Sequence, residues 1–471
     1  MKHPFLLPIT LLLLAACSSQ PALNRKVAFV SKHATEAKLT FEFEAHMVKE
    51  SKPTMAEAKA QVESQVQHMF GPMERAKVSA APKEDHVVSI RSGDIEPVED
   101  EAGTWRIPYK YEGTIVIEKG PRTKYDFPLP VDPTAIFTNA QGNSSHNPCT
   151  DEHYQSEGDF WYFWSPAGWG NNEYPSCKLR SNKNGIIQPG EDYEIVSARI
   201  DRFPSERATY PEYDRLADDN VIDVVFFYGK DEPTGSNDPY RSSDISAGLY
   251  RDTVNILKAT GGDAMEFQVR KWSKAEIEAI YPPDQRDANV FVEEAVKTYI
   301  TGLKLRVRLF FGNIGIDQKS TGFHYFFRDA LKNSSVMVYN GHSGLGGNLD
   351  LSEIAASHSF RLTPNKNRYQ IYFFNSCTSY TYYNTMYFNR KRTKSARRLT
   401  DPKGTKNLDI LANGLSTAFN VMHDTDMALL KAIDKYMARG TWTSYQKLAR
   451  DIDSDNLFTV NGDEDNPTKP R

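Results

Sequence analysis

The sequence predicts an α/β protein with a mainly parallel sheet flanked by helices, preceded by a small α+β domain. Residues 336–340 and 371–375 form two short, almost wholly apolar runs, typical of strands buried on both faces under helices. From about residue 221 such strands alternate with helical patterns, which is the order expected for parallel strands. Earlier in the chain, apolar and polar residues alternate as in half-buried antiparallel strands.

The first 16 residues have the pattern of a secretory signal peptide. Lys2 and His3 precede a leucine-rich run that is too short to span a bilayer comfortably. The run ends in Leu-Ala-Ala before Cys17, which resembles the lipobox of bacterial lipoproteins. The resemblance implies cleavage before Cys17 and acylation of Cys17, for example with palmitate, so that the chain is anchored to a lipid bilayer. Ser18 stands after the cysteine where no Asp is present, which resembles the sorting pattern for the outer membrane, and the resemblance implies an anchor on its periplasmic or surface face. The alternative is an ordinary signal peptide with an incidental cysteine.

Residues 17–135 read as a small α+β domain. Leu39 and Phe41 alternate with polar residues in a half-buried strand. Thr54 and Glu57 form the capping box of a following helix, and further alternating segments complete an antiparallel sheet. Nothing in this domain indicates catalysis, and we expect a spacer or docking module.

Residues 136–210 form an aromatic-rich segment that we expect to be closed by a disulfide between Cys149 and Cys177. An exported chain meets an oxidising compartment, and such a bond would stabilise the fold by roughly 3–4 kcal/mol. The alternative is a zinc site formed by the two cysteines with His146 and His153. The aromatic side chains indicate either a core beneath the stapled loop or a site for a glycan or peptide. Three tryptophans lie in this segment: Trp161, Trp164 and Trp169.

Residues 211–471 form the predicted α/β domain. Its other strands are expected at 221–228, 265–272, 303–311, 408–411 and 457–460. Its helices are expected at 247–257, 290–300 and 323–332, with a last one that Asp424 caps and Gly440 ends. The basic run at 390–398 is typical of an exposed loop.

His342 and Cys377 each follow one of the two buried apolar runs. Because the carboxyl ends of parallel strands meet at one edge of a sheet, we expect the imidazole and the thiol to emerge together. In such a pair the histidine removes the proton of the cysteine, and the resulting thiolate acts as a nucleophile. Once Cys17, Cys149 and Cys177 are assigned, Cys377 is the remaining free thiol of the four cysteines.

The order strand–His342 then strand–Cys377, with Val-Asn-Gly-Asp at 460–463, resembles the caspase–gingipain–legumain superfamily of cysteine peptidases. The resemblance covers about residues 215–465 and implies a caspase–haemoglobinase-like fold. It implies that His342 acts as general base and acid and that Cys377 is the nucleophile, forming an acyl-enzyme thioester. Backbone N–H groups of Ser343 and Cys377 would then bind the oxyanion.

The resemblance also implies a substrate and leaves an alternative. The loop after the first strand of the domain carries Asp231 and Glu232, which by analogy would bind a basic side chain of a peptide or protein substrate. Ser343 stands where the family has glycine, so a catalytically inactive fold that serves as a cell-surface binding or adhesion module is the alternative. With a net charge of −4 we expect no nucleic-acid partner, and the motifs indicate no metal or cofactor.

Overall fold

The computed structural model describes residues 34–470, apart from gaps at 83–84, 100, 143–145, 167–176, 182–186, 188–189, 204–207, 233, 261–264, 281–289, 316–320, 359–360, 396–397 and 454–455. Cys17 and Trp169 therefore lie outside the described residues. The described chain folds around two large sheets, A and B, with helices packed against them. Within this part, no helix is long and apolar enough to cross a membrane.

Sheet A has seven antiparallel strands and is built by residues 34–202. Its order is β2-β5-β1-β7-β6, with β3 and β4 also pairing with β5. The strands are β1 (Ala34–Val48), β2 (Val78–Ser79), β3 (His86–Ile90), β4 (Glu96–Pro97), β5 (Thr104–Glu118), β6 (Lys124–Pro130) and β7 (Tyr193–Arg202). The disulfide-bonded segment connects β6 to β7, which are neighbours in sheet A, so it begins and ends at this sheet.

Helices α1 (Met55–Gln67) and α2 (Phe70–Arg75) cover sheet A. The predicted capping box begins α1, with the hydroxyl of Thr54 accepting from the backbone of Glu57 and the Glu57 carboxylate accepting from the backbone of Thr54. Short helix α3 (Ile136–Gln141) follows β6 in the stapled segment. The alternation of β1 places Leu39 and Phe41 in the core of this unit.

Sheet B has eight strands, in the order β17-β16-β13-β12-β8-β11-β10-β9. They are β8 (Val221–Gly229), β9 (Gln268–Lys271), β10 (Phe291–Thr298), β11 (Lys304–Gly312), β12 (Val336–Asn340), β13 (Gln370–Asn375), β16 (Leu408–Ala412) and β17 (Thr459–Asn461). Strands β14 (Thr393–Ser395) and β15 (Arg398–Asp401) form a separate hairpin in the basic run.

The fold class predicted from the sequence, a mainly parallel sheet flanked by helices, is wrong. Sheet A is antiparallel and sheet B is mixed: β16, β13, β12, β8 and β11 run parallel, whereas β17, β10 and β9 pair antiparallel. The main cause is the segment predicted as a helix at 290–300, which is strand β10. It returns into β11 through a tight turn at Gly302, whose φ of +83° suits glycine, so these two strands form an antiparallel hairpin.

The remaining helices are α4 (Tyr213–Leu216), α5 (Ile245–Lys258), α6 (Lys274–Glu278), α7 (Thr321–Asn333), α8 (Leu351–His358), α9 (Ser379–Lys391), α10 (Phe419–Arg439) and α11 (Tyr445–Ile452). Residues of α5, α10 and α11 share one apolar cluster with sheet B, and residues of α7 and α9 share another. Alternate residues of β8 enter the two clusters, Val224 and Phe226 one and Val225 and Phe227 the other. This burial of both faces explains the continuous apolar runs in the sequence.

Candidate functional site

His342 and Cys377 follow two strands that are neighbours in sheet B. Strands β12 and β13 pair in parallel, and their last register pair is Asn340 with Asn375. Each of the two reactive residues lies two positions beyond this pair. The topology thus brings the imidazole and the thiol to the same edge of the sheet.

His342 is paired with the carboxylate of Asp231, which follows the neighbouring strand of β12 that does not lead to Cys377. Its Nε2 lies 2.9 Å from Oδ1 of Asp231, and the two side chains are 51% and 40% exposed. Asp231 follows β8, which is the other neighbour of β12. The ring of Phe419 packs edge-on against the imidazole, with centroids 5.3 Å apart. Three adjacent strands therefore carry an aspartate, a histidine and a cysteine at one edge, and the aspartate can orient the imidazole.

The two acidic residues proposed from the sequence to bind substrate differ in position. Asp231 points at His342, so its carboxylate is engaged with the imidazole. Glu232 is exposed. The backbone N–H groups of both residues donate to the carboxylate of Asp244, at 3.3 and 3.1 Å, which fixes the course of this loop beside the site. Of the two carboxylates, that of Glu232 is the more available to a ligand.

The loops that carry His342 and Cys377 contain backbone in the left-handed region. Thr378, directly after Cys377, has φ +45°, and Leu345 has φ +52°. Such conformations cost of order 1–3 kcal/mol in non-glycine residues and are often found at functional sites. Ser343 is buried, and its carbonyl accepts the hydroxyl of Tyr383 at 3.0 Å. The serine that replaces the glycine of the peptidase family is therefore packed into the loop.

Cys377 is a half-buried free thiol held by the backbone of Thr417. The Thr417 N–H donates to Sγ at 3.4 Å, and Sγ lies 3.6 Å from the Thr417 carbonyl oxygen. Burial raises the pKa of the Cys377 thiol, and the nearby carboxylate of Glu74 raises this pKa further, against the lowering effect of the Thr417 N–H. Burial and the carboxylate of Glu74 thus favour the thiol over the thiolate, and the thiolate is the stronger nucleophile.

The N-terminal unit covers the thiol. Glu74, on α2, accepts a hydrogen bond from the backbone N–H of Ser416 at 2.5 Å, and burial raises the pKa of Glu74 to about 7. The hydroxyl of Tyr162, in the stapled segment, lies 3.3 Å from the hydroxyl of Thr378. Burial raises the pKa of Tyr162, and so does the proximity of Cys377. Helix α2 and the stapled segment therefore form one wall of the space around the sulfur.

The predicted disulfide between Cys149 and Cys177 is confirmed. The alternative of a zinc site does not hold, because sulfurs bonded to each other cannot act as thiolate ligands. In the part of the chain that the structure describes, no group of three or more His, Cys, Asp or Glu side chains is placed to bind a metal ion. Trp164 is fully buried beside the bridge and donates its indole N–H to the carbonyl of His68 at 2.6 Å.

Two acidic residues at the site were not recognised from the sequence. Glu74 lies on a short helix of another unit, and no local pattern connects it with Cys377. Asp426 lies on α10, fully buried under the ends of β12 and β13. The sequence does contain an indication of Asp426. This residue interrupts the apolar face of the helix, four residues after Met422 and four before Leu430. A carboxylate in an apolar stripe is costly and therefore informative.

Comparisons of this chain with protein-family models, with curated proteins and with solved structures found no match.

Proposed function

We propose that this chain is a cysteine endopeptidase in which His342 and Cys377 form the catalytic dyad and Asp231 orients the histidine. The observation that carries the proposal is that the three residues follow β8, β12 and β13, three adjacent parallel strands, with His342 and Asp231 2.9 Å apart. The order of the two motifs in the sequence, which resembles that of the caspase–gingipain–legumain superfamily, also supports the proposal.

The proposed reaction needs no group beyond the chain and water. His342 takes the proton of the Cys377 thiol, and the thiolate attacks the carbonyl carbon of a peptide bond. The tetrahedral oxyanion is stabilised by the backbone N–H groups of Ser343 and Cys377. His342 then gives its proton to the leaving amine, which produces a thioester at Cys377. Water, deprotonated by His342, hydrolyses the thioester and restores the thiol.

Glu232 would select a basic side chain next to the cleaved bond. It is exposed in the loop beside His342, and a carboxylate attracts Lys or Arg at that position. We expect Glu232→Gln to lower the preference for Arg over Gln at that substrate position by about tenfold, a difference of roughly 1.4 kcal/mol. An unchanged ratio of kcat/KM for the two substrates would exclude Glu232 as the selecting group.

The proposal is tested with a library of fluorogenic peptides. Cys377→Ala and His342→Ala should each lower kcat/KM by at least about 10³-fold, because neither group acts without the other. Asp231→Asn should lower kcat by about 10- to 100-fold through loss of the oriented imidazole. Asp219→Asn is the matched control, since this exposed aspartate lies at the opposite end of β8 and should leave kcat unchanged. Activity in Cys377→Ala would refute the peptidase.

The second candidate is a binding or adhesion module built on the same fold. It is favoured by the raised pKa of Cys377 and by the contacts of Glu74 and Tyr162 around it, which oppose formation of a thiolate. If no peptide in the library is cleaved and Cys377 resists iodoacetamide in the folded protein, this second function replaces the first.

We also propose that Cys17 carries the lipid that anchors the protein in the outer membrane. The support is the lipobox-like sequence that ends at Cys17, followed by Ser18. Expression in bacteria fed an alkyne-labelled palmitate should label the wild-type chain. Cys17→Ser should abolish the label and release the protein from the membrane fraction. Cys377→Ala should keep both the label and the association with the membrane fraction. Label that persists in Cys17→Ser would contradict the anchor.

A further inference from the structure

Asp426 connects the ends of the two strands that carry the candidate dyad. It lies on α10 with no exposed surface. Its Oδ2 accepts a hydrogen bond from the side-chain amide of Asn340, and its Oδ1 accepts one from the amide of Asn375 at 3.0 Å. Asn340 and Asn375 are the last register pair of β12 and β13, and both are fully buried. One carboxyl group on α10 thus links the ends of β12 and β13.

The network extends toward the loop that holds the sulfur. The amide of Asn375 also donates to the hydroxyl of Thr425 at 2.7 Å, and its carbonyl oxygen accepts from Asn413 at 3.1 Å. Asn413 directly follows β16 and begins the loop whose residue Thr417 donates to Cys377. The polar groups therefore tie three neighbouring strand ends to one helix.

This network is costly for the fold alone. Burial raises the pKa of Asp426 to about 8, and its neighbours on the same helix face, Met422 and Leu430, are apolar. An apolar residue at position 426 would bury the same surface without the desolvation of a carboxyl group. What the carboxyl adds is a fixed direction for both asparagine side chains, and through them for the chain two residues later.

We propose that Asp426 is a positioning residue that holds His342 and Cys377 at a fixed separation by fixing Asn340 and Asn375. The proposal rests on the proposed function of the dyad. It requires no contact between Asp426 and the substrate. A displacement of about 1 Å at a catalytic group can cost about 10²-fold in rate. Loss of the hydrogen bonds from Asp426 to Asn340 and Asn375 is therefore expected to have a large effect on the reaction.

The first test is Asp426→Asn. The variant replaces one acceptor oxygen by an NH₂ group that faces an amide donor, so one of the two hydrogen bonds is lost. We expect kcat to fall by about 10- to 100-fold while KM stays within about threefold, because substrate contacts are unchanged. A kcat within about twofold of wild type would overturn the proposal.

Asp409→Asn is the matched control for loss of a buried carboxyl. Asp409 lies in β16, is fully buried and has its pKa raised to about 8 by burial. It accepts from Tyr445 and Asn466, both at 2.5 Å, near the opposite end of the strands. We expect this variant to lower thermal stability and to leave kcat unchanged. Equal losses of kcat in the two variants would show that Asp426 acts only through stability, and would overturn the proposal.

A double variant tests the hydrogen bond itself. Asn340→Asp combined with Asp426→Asn exchanges the amide and the carboxyl, so that a donor again faces an acceptor. We expect kcat to recover at least about fivefold relative to Asp426→Asn alone, since the pair is complementary again. A double variant as slow as the product of the two single losses would count against positioning through this bond.

Cross-linking separates this proposal from the proposed peptidase activity. The bifunctional alkylating agent 1,3-dibromoacetone reacts with a thiol and then with an imidazole held close to it, releasing one bromide for each bond formed. We expect wild type and Asp409→Asn to give the Cys377–His342 cross-link in mass spectrometry, and Asp426→Asn to be alkylated at Cys377 without it. This pattern in a protein that cleaves no peptide would support positioning and refute the peptidase. A cross-link of equal yield in Asp426→Asn, or none in wild type, would overturn positioning even if peptides are cleaved.

Discussion

The raised pKa of Asp426 predicts how the free energy of unfolding depends on pH, and this prediction is independent of any activity. The group has a pKa of about 8 in the folded protein against an ordinary value of 3.8. Between these values the folded state keeps a proton that the unfolded chain releases, so the free energy of unfolding decreases as the pH rises. The contribution is complete below the lower pKa and lost above the higher one. One proton corresponds to about 1.4 kcal/mol per pH unit.

Replacement by asparagine removes this proton. The difference in unfolding free energy between wild type and Asp426→Asn should therefore change by about 1.4 kcal/mol per pH unit, or roughly 3 kcal/mol between pH 5 and pH 7, always to the disadvantage of wild type at higher pH. The variant should be clearly less stable than wild type at pH 5 and closer to it, or more stable, at pH 7.

Urea unfolding at pH 5, 6 and 7, followed by tryptophan fluorescence, measures this difference. Asp409→Asn should give the same slope, because the pKa of Asp409 is also raised to about 8. Asp424→Asn controls for removal of an acidic side chain from the exposed face of the same helix. A difference between wild type and Asp426→Asn that does not vary with pH would mean that Asp426 is ionised in the fold, and the reasoning from burial would be refuted.

Two further predictions concern charges at the site and in the core. Glu74→Gln should lower the pKa of Cys377 and raise its rate of reaction with iodoacetamide at pH 8 by a few fold, since a nearby negative charge is removed; an unchanged pH profile of alkylation would contradict this. Arg308→Met should lower the free energy of unfolding by about 3–5 kcal/mol, because it leaves the buried carboxylate of Asp223 without the guanidinium that contacts it at 2.6 Å. Arg306→Met, whose side chain is 41% exposed at the same carboxylate, should cost about 1 kcal/mol or less in chemical denaturation, and equal costs would refute the role of burial.

The strands that carry the candidate dyad could be predicted from the sequence. Every residue of β12 and β13 is buried, which explains the two continuous, almost wholly apolar runs from which these strands were predicted. The disulfide could also be predicted, because Cys149 and Cys177 are close in the chain and lie in one loop-rich segment. These features depend on local composition and on short separations.

The direction of the strands could not be predicted in the same way. The pattern at β10 was interpreted as a helix, although Phe291, Glu293 and Ala295 share one face of a strand and the antiparallel partner is only a short turn away. The basic run at 390–398 was interpreted as a loop, but it contains part of the hairpin of β14 and β15. In both cases pairing with a neighbouring strand overrides a weak local preference.

Contacts between distant parts of the chain account for what was missed at the site. Glu74 reaches Ser416 across 342 residues, and Tyr162 reaches Thr378 across 216. No periodicity in the sequence records such a contact. The ion pair of Asp231 with His342 spans 111 residues, and it follows only once the order of β8 and β12 in the sheet is known.

The short separation of Cys149 and Cys177 has a consequence for how the free thiol survives oxidation. The native bridge joins residues 28 apart, whereas Cys377 is 200 residues from Cys177 and 228 from Cys149, from 377 − 177 and 377 − 149. In an unfolded chain the entropy of closing a loop favours the shorter one by about 1.7 kcal/mol, from 1.5 RT ln(200/28), or roughly 20-fold in population. Cys149 and Cys177 are also synthesised well before Cys377. Both effects favour a chain that oxidises into the native bridge first and leaves Cys377 reduced while the rest of the protein folds around it.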